Sequence, residues 1–399
     1  MIAPRPRVEG AVAATGPGAP ILIWTAGTGG GHRGVARAIV EAAQRLALPA
    51  GSIRVDEPLE RASPAVRRLL AAYGPLVRHA PLAWGGLFHL TQAPALGRLV
   101  AAGFERALVP ALRAELVSQP VAVVLVVHPL LVGPALAARA ALPGTVPAPA
   151  VVVLVTDLAG GHRSWAHPSA DWTLTASEEA TRWARGAGVS PRRTRMVGLP
   201  VHPDLAGPPP DAGPRRRLRI ALGLDPDRFA VLVTGGGEGA GPVAATVGRL
   251  LCSGLAIQVA VVCGRNRRLA ARLAGWRAPV PLRVAGWVDD MPGWLRAADL
   301  VVGKAGPSSV AETAAAGLPL LLVGALPGQE RPNLRLVEGA GFGAPVRAQD
   351  LVRTVAQLSA PGSGRYRAMC AAARLWGRPG AAFTTVELLA SLASARPAP

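Results

Sequence analysis

The feature that most constrains the fold is a series of short, continuous apolar segments separated by longer stretches with helical periodicity. Apart from Asp299 at the start of one segment, each segment lacks polar residues and therefore lacks the alternation expected of a strand with one face in water. Glycine-rich or polar turns follow these segments. The segments are residues 21–24, 121–127, 151–155, 231–233, 259–263, 299–302 and 318–323. The pattern predicts an α/β protein with parallel sheets covered by helices on both faces.

The 399-residue chain is long enough for two domains. The apolar segments form two groups, and four prolines at 208–214 lie between them, next to three arginines. We therefore predict two Rossmann-like domains that face an interdomain cleft. The predicted order is a disordered N-terminal arm at 1–20, a first domain at 21–202, a Pro/Arg-rich linker at 203–217, a second domain at 218–375, and at 376–399 a C-terminal helix packing back on the first domain, with a tail.

The formal net charge is +19, and Lys304 is the only lysine among 43 basic residues. This charge favours an anionic partner, such as a phosphorylated substrate or an anionic membrane surface. Nucleic acid is not expected, because aromatic residues are few and no zinc-finger spacing is present. Three cysteines without metal-ligand spacing and an N-terminal stretch without a continuous apolar region predict a reducing, cytoplasmic location.

The stretch TAGTGGGHRG at 25–34 is unusually rich in glycine, and its histidine, His32, stands at the start of a predicted helix. It fits neither the phosphate loop GxxxxGK[ST] nor GxGxxG. Gly30 and Gly31 would let a sugar or an acceptor approach the backbone closely, and His32 could then act as a general base. Alternatively, the helix amino terminus binds a phosphate, or His32 only caps the turn.

Two further turns predict a donor-binding half-site. Gly235, Gly236, Gly237, Glu238 and Gly239 connect a strand to a helix, and backbone N–H groups in such a turn can hold a diphosphate. In the stretch 301–334, phosphate donors and a carboxylate in the first turn of a helix precede a dense polar group, as a sugar nucleotide requires. The candidate residues there are Lys304, Gly306, Ser308, Ser309, Glu312, Gln329, Glu330 and Asn333. The alternative is a capped helix followed by a polar loop.

Asp157 follows a predicted strand and is placed like a catalytic or orienting carboxylate. His162, His167 and Asp171 lie nearby, but neither HExxH nor a three-histidine spacing is present. We therefore expect no metal site. Residues 63–117 are apolar, broken by prolines and punctuated by arginines, and they include Trp84 and Phe88. Helices at a lipid surface have this character, although buried helices can have a similar composition.

Together these motifs resemble the monogalactosyldiacylglycerol synthases and related diacylglycerol glycosyltransferases of glycosyltransferase family 28. In order along the chain, the resemblance rests on TGGGHR, TDLAGGHRSWAHPSAD, GLPVHPDL, TGGGEGAGP, VVCGRNRRLA, the KAGPSSVAE region and PGQERPN. It implies the GT-B fold, a UDP-sugar co-substrate, a diacylglycerol acceptor, inversion at the anomeric carbon and no required metal. It also implies a peripheral protein on the cytoplasmic face of the cell membrane.

The resemblance implies a role for each matching residue. His32 corresponds to the general base, which accepts the proton of the diacylglycerol 3-hydroxyl. The turn at Gly235–Gly239 and the pair Ser308-Ser309 would contact the diphosphate, and Glu312 the ribose. The backbone around Val288 would face the uracil, and Gln329, Glu330 and Asn333 would recognise the sugar.

Two positions depart from the family pattern: Ser308-Ser309 replaces the expected Gly-Thr, and His202 stands where arginine is common. The serine hydroxyls could therefore add to the phosphate contacts. The product is expected to be a β-galactosyl diacylglycerol, with glucose as the alternative sugar. A peptidoglycan N-acetylglucosaminyltransferase-like enzyme and a non-catalytic nucleotide-sugar-binding protein are the alternative functions.

Overall fold

A computed structural model describes residues 21–27, 30–208, 210–277 and 279–395. Its first sheet consists of the strands β1 (Ile21–Trp24), β2 (Ile53–Asp56), β3 (Val123–Val126), β4 (Ala150–Val155), β5 (Trp172–Thr175) and β6 (Thr194–Met196). All of its strand pairs are parallel, in the order β2-β1-β3-β4-β5-β6. The direction of winding reverses between β1 and β3, which is where an open α/β sheet binds ligands.

The helices of this part of the chain are α1 (Gly31–Arg45), α2 (Pro64–Ala71), α3 (Tyr73–His79), α4 (Pro81–Gln92), α5 (Pro94–Ser118), α6 (Val132–Ala140) and α7 (Glu178–Gly186). Four of them, α2 to α5, lie between β2 and β3. They replace the single crossover helix of a simple βαβ unit with a helical layer. Short 3₁₀ turns occur at Pro58–Arg61, Pro129–Leu131, Arg163–Trp165, Pro191–Arg193 and Pro203–Ala206.

The second sheet is also fully parallel and begins after α8 (Ala212–Ala221). Its strands are β7 (Phe229–Thr234), β8 (Ile257–Val262), β9 (Leu282–Ala285), β10 (Leu300–Lys304), β11 (Leu320–Gly324) and β12 (Gly343–Pro345). The order β12-β11-β10-β7-β8-β9 is that of a Rossmann sheet, with its switch point between β7 and β10. The helices are α9 (Val243–Leu251), α10 (Arg267–Ala274), α11 (Met291–Ala297), α12 (Pro307–Ala315), α13 (Arg331–Gly339), α14 (Leu351–Ser359), α15 (Gly364–Trp376) and α16 (Ala381–Ser394).

Every apolar segment of the sequence contributes a strand, and residues of β1, β3, β4 and β8 are buried throughout. The strands that the apolar pattern did not predict are β2, β5, β6, β9 and β12. Of these, β2, β6, β9 and β12 lie at or next to a sheet edge or carry exposed positions. Such strands need fewer apolar residues. Strand β5 is mostly buried, but two of its four residues are threonines, so it does not form a continuous apolar segment.

The chain crosses between the two sheets twice. Part of the first crossing, the predicted linker, is helical, because α8 begins at Ala212 and includes Pro214 in its first turn, where proline is tolerated. The second crossing leads to α16, which packs against α1, β1 and β3. The two crossings touch: a Cβ placed on Gly198 would lie 2.6 Å from Cβ of Arg378. The predicted domain boundaries stay predictions, and the predicted arm at 1–20 lies outside the described residues.

Helix α8 is attached to the second sheet by a buried ion pair. The Arg219 guanidinium donates to Asp299 Oδ2 over 2.5 Å and to the Ala297 carbonyl over 2.8 Å, and only 6 % of the residue is exposed. Asp299 also accepts hydrogen bonds from Arg215 and from the backbone N–H of Ala230. The two guanidinium groups and the Asp299 carboxylate therefore stabilise each other in a region from which water is excluded.

Within the part of the chain that is described, no helix combines the length and hydropathy needed to cross a membrane.

We predict that Arg219→Ala lowers the free energy of unfolding by about 3–5 kcal/mol, because it leaves the Asp299 carboxylate buried with part of its charge uncompensated. Urea denaturation followed by circular dichroism measures the change. Arg217→Ala is the matched control, since Arg217 is exposed on the same helix and such changes cost about 0.5 kcal/mol or less. Equal stability of the two variants would contradict the structural role of the pair.

Candidate active site

Two adjoining cavities of about 190 and 130 Å³ lie where turns from both sheets meet. The first, the Glu312 cavity, also contains Val288, and the second, the His32 cavity, contains Asp157 and Gln329. Both are lined by Gly30, Gly31, Gly236, Gly237, Ser308 and Ser309. The shared residues make one continuous site with two ends, at the carboxyl ends of β1, β7 and β10.

The glycine turns after β1 and β7 approach each other across the cleft. A Cβ on Gly237 would lie 3.2 Å from Cα of Gly30, and a Cβ on Gly31 would lie 3.1 Å from Ser308 Oγ. Gly236 has a φ of +69°, a backbone conformation that side chains disfavour. Absence of side chains at these positions therefore lets the two turns form the narrow waist between the cavities.

At the waist, the glycine turn after β7 meets the first turn of α12. Ser308 and Ser309 occupy the first turn of α12, where helix geometry leaves N–H groups without partners. The turn at 235–239 lies before α9, which begins at Val243, and the N–H groups of Gly236 and Gly239 already bind Thr234 Oγ1 and the Gly236 carbonyl. The amino terminus of α12 favours an anion at the waist, because it carries partial positive charge and N–H groups without helical partners.

Glu312 reaches the first cavity from the sixth residue of α12. Glu312 therefore lies in the second turn of α12, and the prediction that it lies in the first turn was wrong. Burial raises the pKa of its carboxyl to about 7. Among the residues that are described, none forms a hydrogen bond or ion pair with this carboxyl. The opposite wall includes Val288 and Trp287, and the Arg265 guanidinium carbon lies 4.3 Å from the Trp287 ring centre.

Lys304 and Glu330 form a buried ion pair at the edge of the His32 cavity. Glu330 Oε2 also accepts a hydrogen bond from the backbone N–H of Leu326 over 2.9 Å. A Cβ on Gly306 would lie 2.9 Å from Lys304 Nζ, so the ammonium is close to the start of α12. The pair fixes the loop after β11 and brings a positive charge to the waist.

His32, the second residue of α1, is half-buried in the cavity named after it. Its Nδ1 lies 3.3 Å from Thr156 Oγ1, and its ring is 4.7 Å from that of His128, centre to centre. Burial lowers the pKa of His32 to about 4, against a smaller opposite effect of the Val127 carbonyl. The imidazole is therefore neutral at pH 7, which is the protonation state that a general base needs before reaction.

Asp157 follows β4 and connects the two halves of the cleft. Its Oδ2 accepts a hydrogen bond from Trp165 Nε1 over 2.8 Å, and its Oδ1 accepts one from Gln329 Nε2 over 3.5 Å. Burial raises the pKa of Asp157 to about 6, although both hydrogen bonds oppose this shift. Gln329 belongs to the second half of the chain, so Asp157 orients that loop across the cleft.

Helix α3 forms another wall of the His32 cavity. Tyr73, Gly74 and Val77 of α3 line it, and Arg78 pairs with Glu238 over 2.9 Å. Arg265 contacts the same carboxylate at 3.4 Å. Glu238 thus lies in the cavity wall as the partner of two arginines.

Trp84 and Phe88 line neither cavity, although both belong to α4. Phe88 packs on the loop after β11, where a Cβ on Gly328 would lie 2.8 Å from Phe88 Cδ1. Trp84 packs edge-on against Tyr73, with 4.9 Å between ring centres. They therefore support the wall of the site from outside.

Three other candidate residues are also outside the cavity walls: Gly235, Gly239 and Asn333. The side-chain amide of Asn333 donates to the Ala305 carbonyl over 2.8 Å and so holds the turn after β10. Their predicted contacts with the donor stay predictions. Tyr73, Thr156 and Arg78 were not singled out from the sequence: Thr156 belongs to the motif TDLAGGHRSWAHPSAD but was not assigned a role, and no motif or spacing marks Tyr73 and Arg78.

Within the described ranges, no group of three or more His, Cys, Asp and Glu side chains is placed to hold a metal ion. His162 contacts Ser164 and Thr91, His167 accepts from the Ser169 N–H, and Asp171 binds Arg139 and the Val151 N–H. Polar atoms of these three side chains therefore bind other groups of the protein.

Comparisons with solved structures support the fold. MurG of Acinetobacter baumannii is similar with a TM-score of 0.57 at 18% identity, over 93% of this chain and 99% of MurG. HepE of Anabaena, solved in complex with UDP, has a TM-score of 0.56 at 16% identity, over 93% of this chain and 100% of HepE. The two parallel sheets and these likenesses confirm the predicted GT-B fold.

Comparisons of sequence give the family. Residues 32–201 match the monogalactosyldiacylglycerol (MGDG) synthase family, and residues 230–357 match the C-terminal domain of glycosyltransferase family 28. The chloroplastic MGDG synthase of Spinacia oleracea is 30% identical over 382 residues, covering 93% of this chain and 72% of the relative. MGDG synthase 1 of Arabidopsis thaliana is 29% identical over 376 residues, covering 92% and 70%. The chain therefore belongs to the monogalactosyldiacylglycerol synthase family of UDP-sugar-dependent glycosyltransferases.

Proposed function

We propose that this protein transfers galactose from UDP-galactose to the 3-hydroxyl of 1,2-diacylglycerol and inverts the anomeric carbon, which gives a β-galactosyl diacylglycerol. The observation that carries the proposal is the arrangement of the cleft: a neutral His32 and an unpartnered Glu312 lie at opposite ends of one site. Galactose is favoured over glucose because the relatives are named for galactosyl transfer. MurG shares only the fold, at 18% identity, so N-acetylglucosamine transfer has weaker support.

In this proposal the donor spans both cavities. The uracil packs near Val288, and the ribose hydroxyls donate hydrogen bonds to Glu312. The diphosphate lies at the waist, where Ser308, Ser309 and the turn at 235–239 offer N–H groups. The hexose then enters the His32 cavity beside Gln329 and Glu330.

The reaction requires one proton acceptor. The diacylglycerol oxygen forms a bond to the anomeric carbon while the bond from that carbon to the UDP oxygen breaks. His32 accepts the hydroxyl proton, and the Thr156 hydroxyl at Nδ1 orients the ring. Developing charge on UDP is stabilised by the helix amino termini and Lys304, which we infer take the place of a divalent metal.

The acceptor resides in a bilayer, and we propose that α2, α4 and α5 dock there on the cytoplasmic face of the cell membrane. These helices expose large leucines, of which Leu82 is 79% and Leu90 61% exposed. Helix α4 also contacts the loop of Gln329 through Gly85, next to Pro327. Arg67 and Arg68 on α2 are exposed and would meet anionic headgroups.

We predict that His32→Ala lowers kcat by about 10²–10⁴-fold, because no other group then accepts the acceptor proton. Purified protein is incubated with anionic vesicles containing diacylglycerol and with radiolabelled UDP-galactose or UDP-glucose, and labelled glycolipid is counted. His167→Ala, outside both cavities, is the control. A fully active His32→Ala would refute the base assignment and direct attention to Asp157. Transfer of label only from UDP-glucose would refute galactose as the donor sugar, but it would still support glycosyl transfer to diacylglycerol.

We predict that UDP affinity increases with pH between 6 and 8, because the Glu312 carboxyl, with a pKa of about 7, binds ribose best as a carboxylate. Protonation below pH 7 removes an acceptor, so affinity falls as the pH falls. Calorimetric titration of the wild type and of Glu312→Gln at three pH values separates this effect from titration of the phosphates, which both proteins share. Above pH 7 the substitution should weaken binding by about 10- to 100-fold, the effect of hydrogen bonds to a charged group. Parallel pH profiles would contradict the role of Glu312.

We predict that the double substitution Leu82→Glu and Leu90→Glu weakens binding to vesicles by about 10-fold or more, because burial of each leucine contributes about 1.5–3 kcal/mol. Vesicle sedimentation measures binding, and UDP titration verifies that the cleft is intact. Leu375→Glu, a change at a leucine that is 82% exposed on α15, is the control. Vesicle binding that falls equally in the control would exclude the proposed docking surface.

A further inference from the structure

Tyr73 is the first residue of α3, and it lines the His32 cavity together with Gln329. It is one of only two tyrosines in the chain. The Trp84 ring packs edge-on against its ring and limits its rotation. A phenol can donate one hydrogen bond and accept others, so its hydroxyl is suited to sugar recognition.

The surroundings of Tyr73 are negatively charged. Burial raises the pKa of its hydroxyl, and the nearby Glu330, Asp157 and Glu238 raise it further, so the phenol stays protonated. Each of these carboxylates already has other partners. Lys304 and the Leu326 N–H bind Glu330, Trp165 and Gln329 bind Asp157, and Arg78 and Arg265 bind Glu238.

The Tyr73 hydroxyl itself makes no hydrogen bond to any described residue. A half-buried donor in a cavity lined by occupied acceptors is suited to a ligand that brings its own hydroxyls. Contact with Glu238 also fixes the position of α3: Arg78 pairs with it over 2.9 Å, and a Cβ on Gly74 would lie 3.8 Å from Glu238 Oε2. Tyr73 is therefore held in place without a partner for its hydroxyl.

We propose that Tyr73 donates a hydrogen bond to a hydroxyl of the hexose in the UDP-hexose donor, within the cavity that Tyr73 shares with Gln329. This inference rests on the proposed function for the identity of the donor. Tyr73 lines the cavity of His32 and Gln329, and it does not line the cavity of Glu312. Its contact is thus with the hexose and not with the nucleoside. Helix α3, from the first half of the chain, completes a sugar pocket whose other wall belongs to the second half.

Calorimetric titration without an acceptor tests the inference, with UDP-galactose and UDP as separate ligands. Tyr73→Phe retains the ring and removes the hydroxyl. It should weaken UDP-galactose binding by about 2- to 12-fold, the effect of one hydrogen bond, and leave UDP binding unchanged. Tyr366→Phe is the control, because Tyr366 packs against Phe229, away from both cavities.

Three results would overturn the inference: unchanged UDP-galactose binding in Tyr73→Phe, equal weakening of UDP and UDP-galactose, or an effect confined to the KM for diacylglycerol in the transfer assay. Failure of the proposed function looks different. A wild-type protein that binds UDP-galactose but transfers nothing to diacylglycerol refutes the acceptor and leaves the Tyr73 contact measurable. A wild type that binds neither ligand refutes both.

Discussion

The contact of Gly30 with Gly237 determines the geometry of the whole site. These glycines belong to turns of different sheets, and the backbone of each occupies space that a side chain would otherwise fill. Because the turns meet there, the start of α1 with His32 is brought beside the start of α12 with Ser308 and Ser309. The proposed base and the backbone proposed to bind phosphate thus share one narrow waist. A bulky side chain at either glycine would separate the parts that the reaction needs together.

Burial shifts the pKa values of three titratable groups in the cleft, and each shift favours the neutral form. It lowers the pKa of His32 and raises those of Asp157 and Glu312, in each case because the charged form loses hydration. His32 is therefore neutral before reaction. Lys304 differs, because its charge is balanced by the buried Glu330. The pair thereby keeps the Lys304 ammonium in place, together with the loop that carries Gln329.

The sequence predicts the centre of each sheet well and its periphery poorly. Strands such as β3 and β4 are buried on both faces, so burial itself dictates their unbroken apolar runs. Edge strands such as β12 are short and partly exposed, which relaxes that requirement. The glycine turns were identified because their composition is unusual. Tyr73 could not be identified, because its position in the site comes from the packing of α3 against Glu238, a contact between residues far apart in sequence.

The two chain crossings between the sheets lie side by side at Gly198 and Arg378. Adjacent crossings leave one place about which one half of the molecule would rotate against the other. Pro200, Val201 and His202 lie near this place and line the Glu312 cavity, whereas α3 lines the His32 cavity. A rotation there would displace the His32 cavity more than the Glu312 cavity. We therefore expect the Glu312 cavity to persist when the molecule opens, so that the proposed donor would enter with its base first and closure would then enclose its sugar.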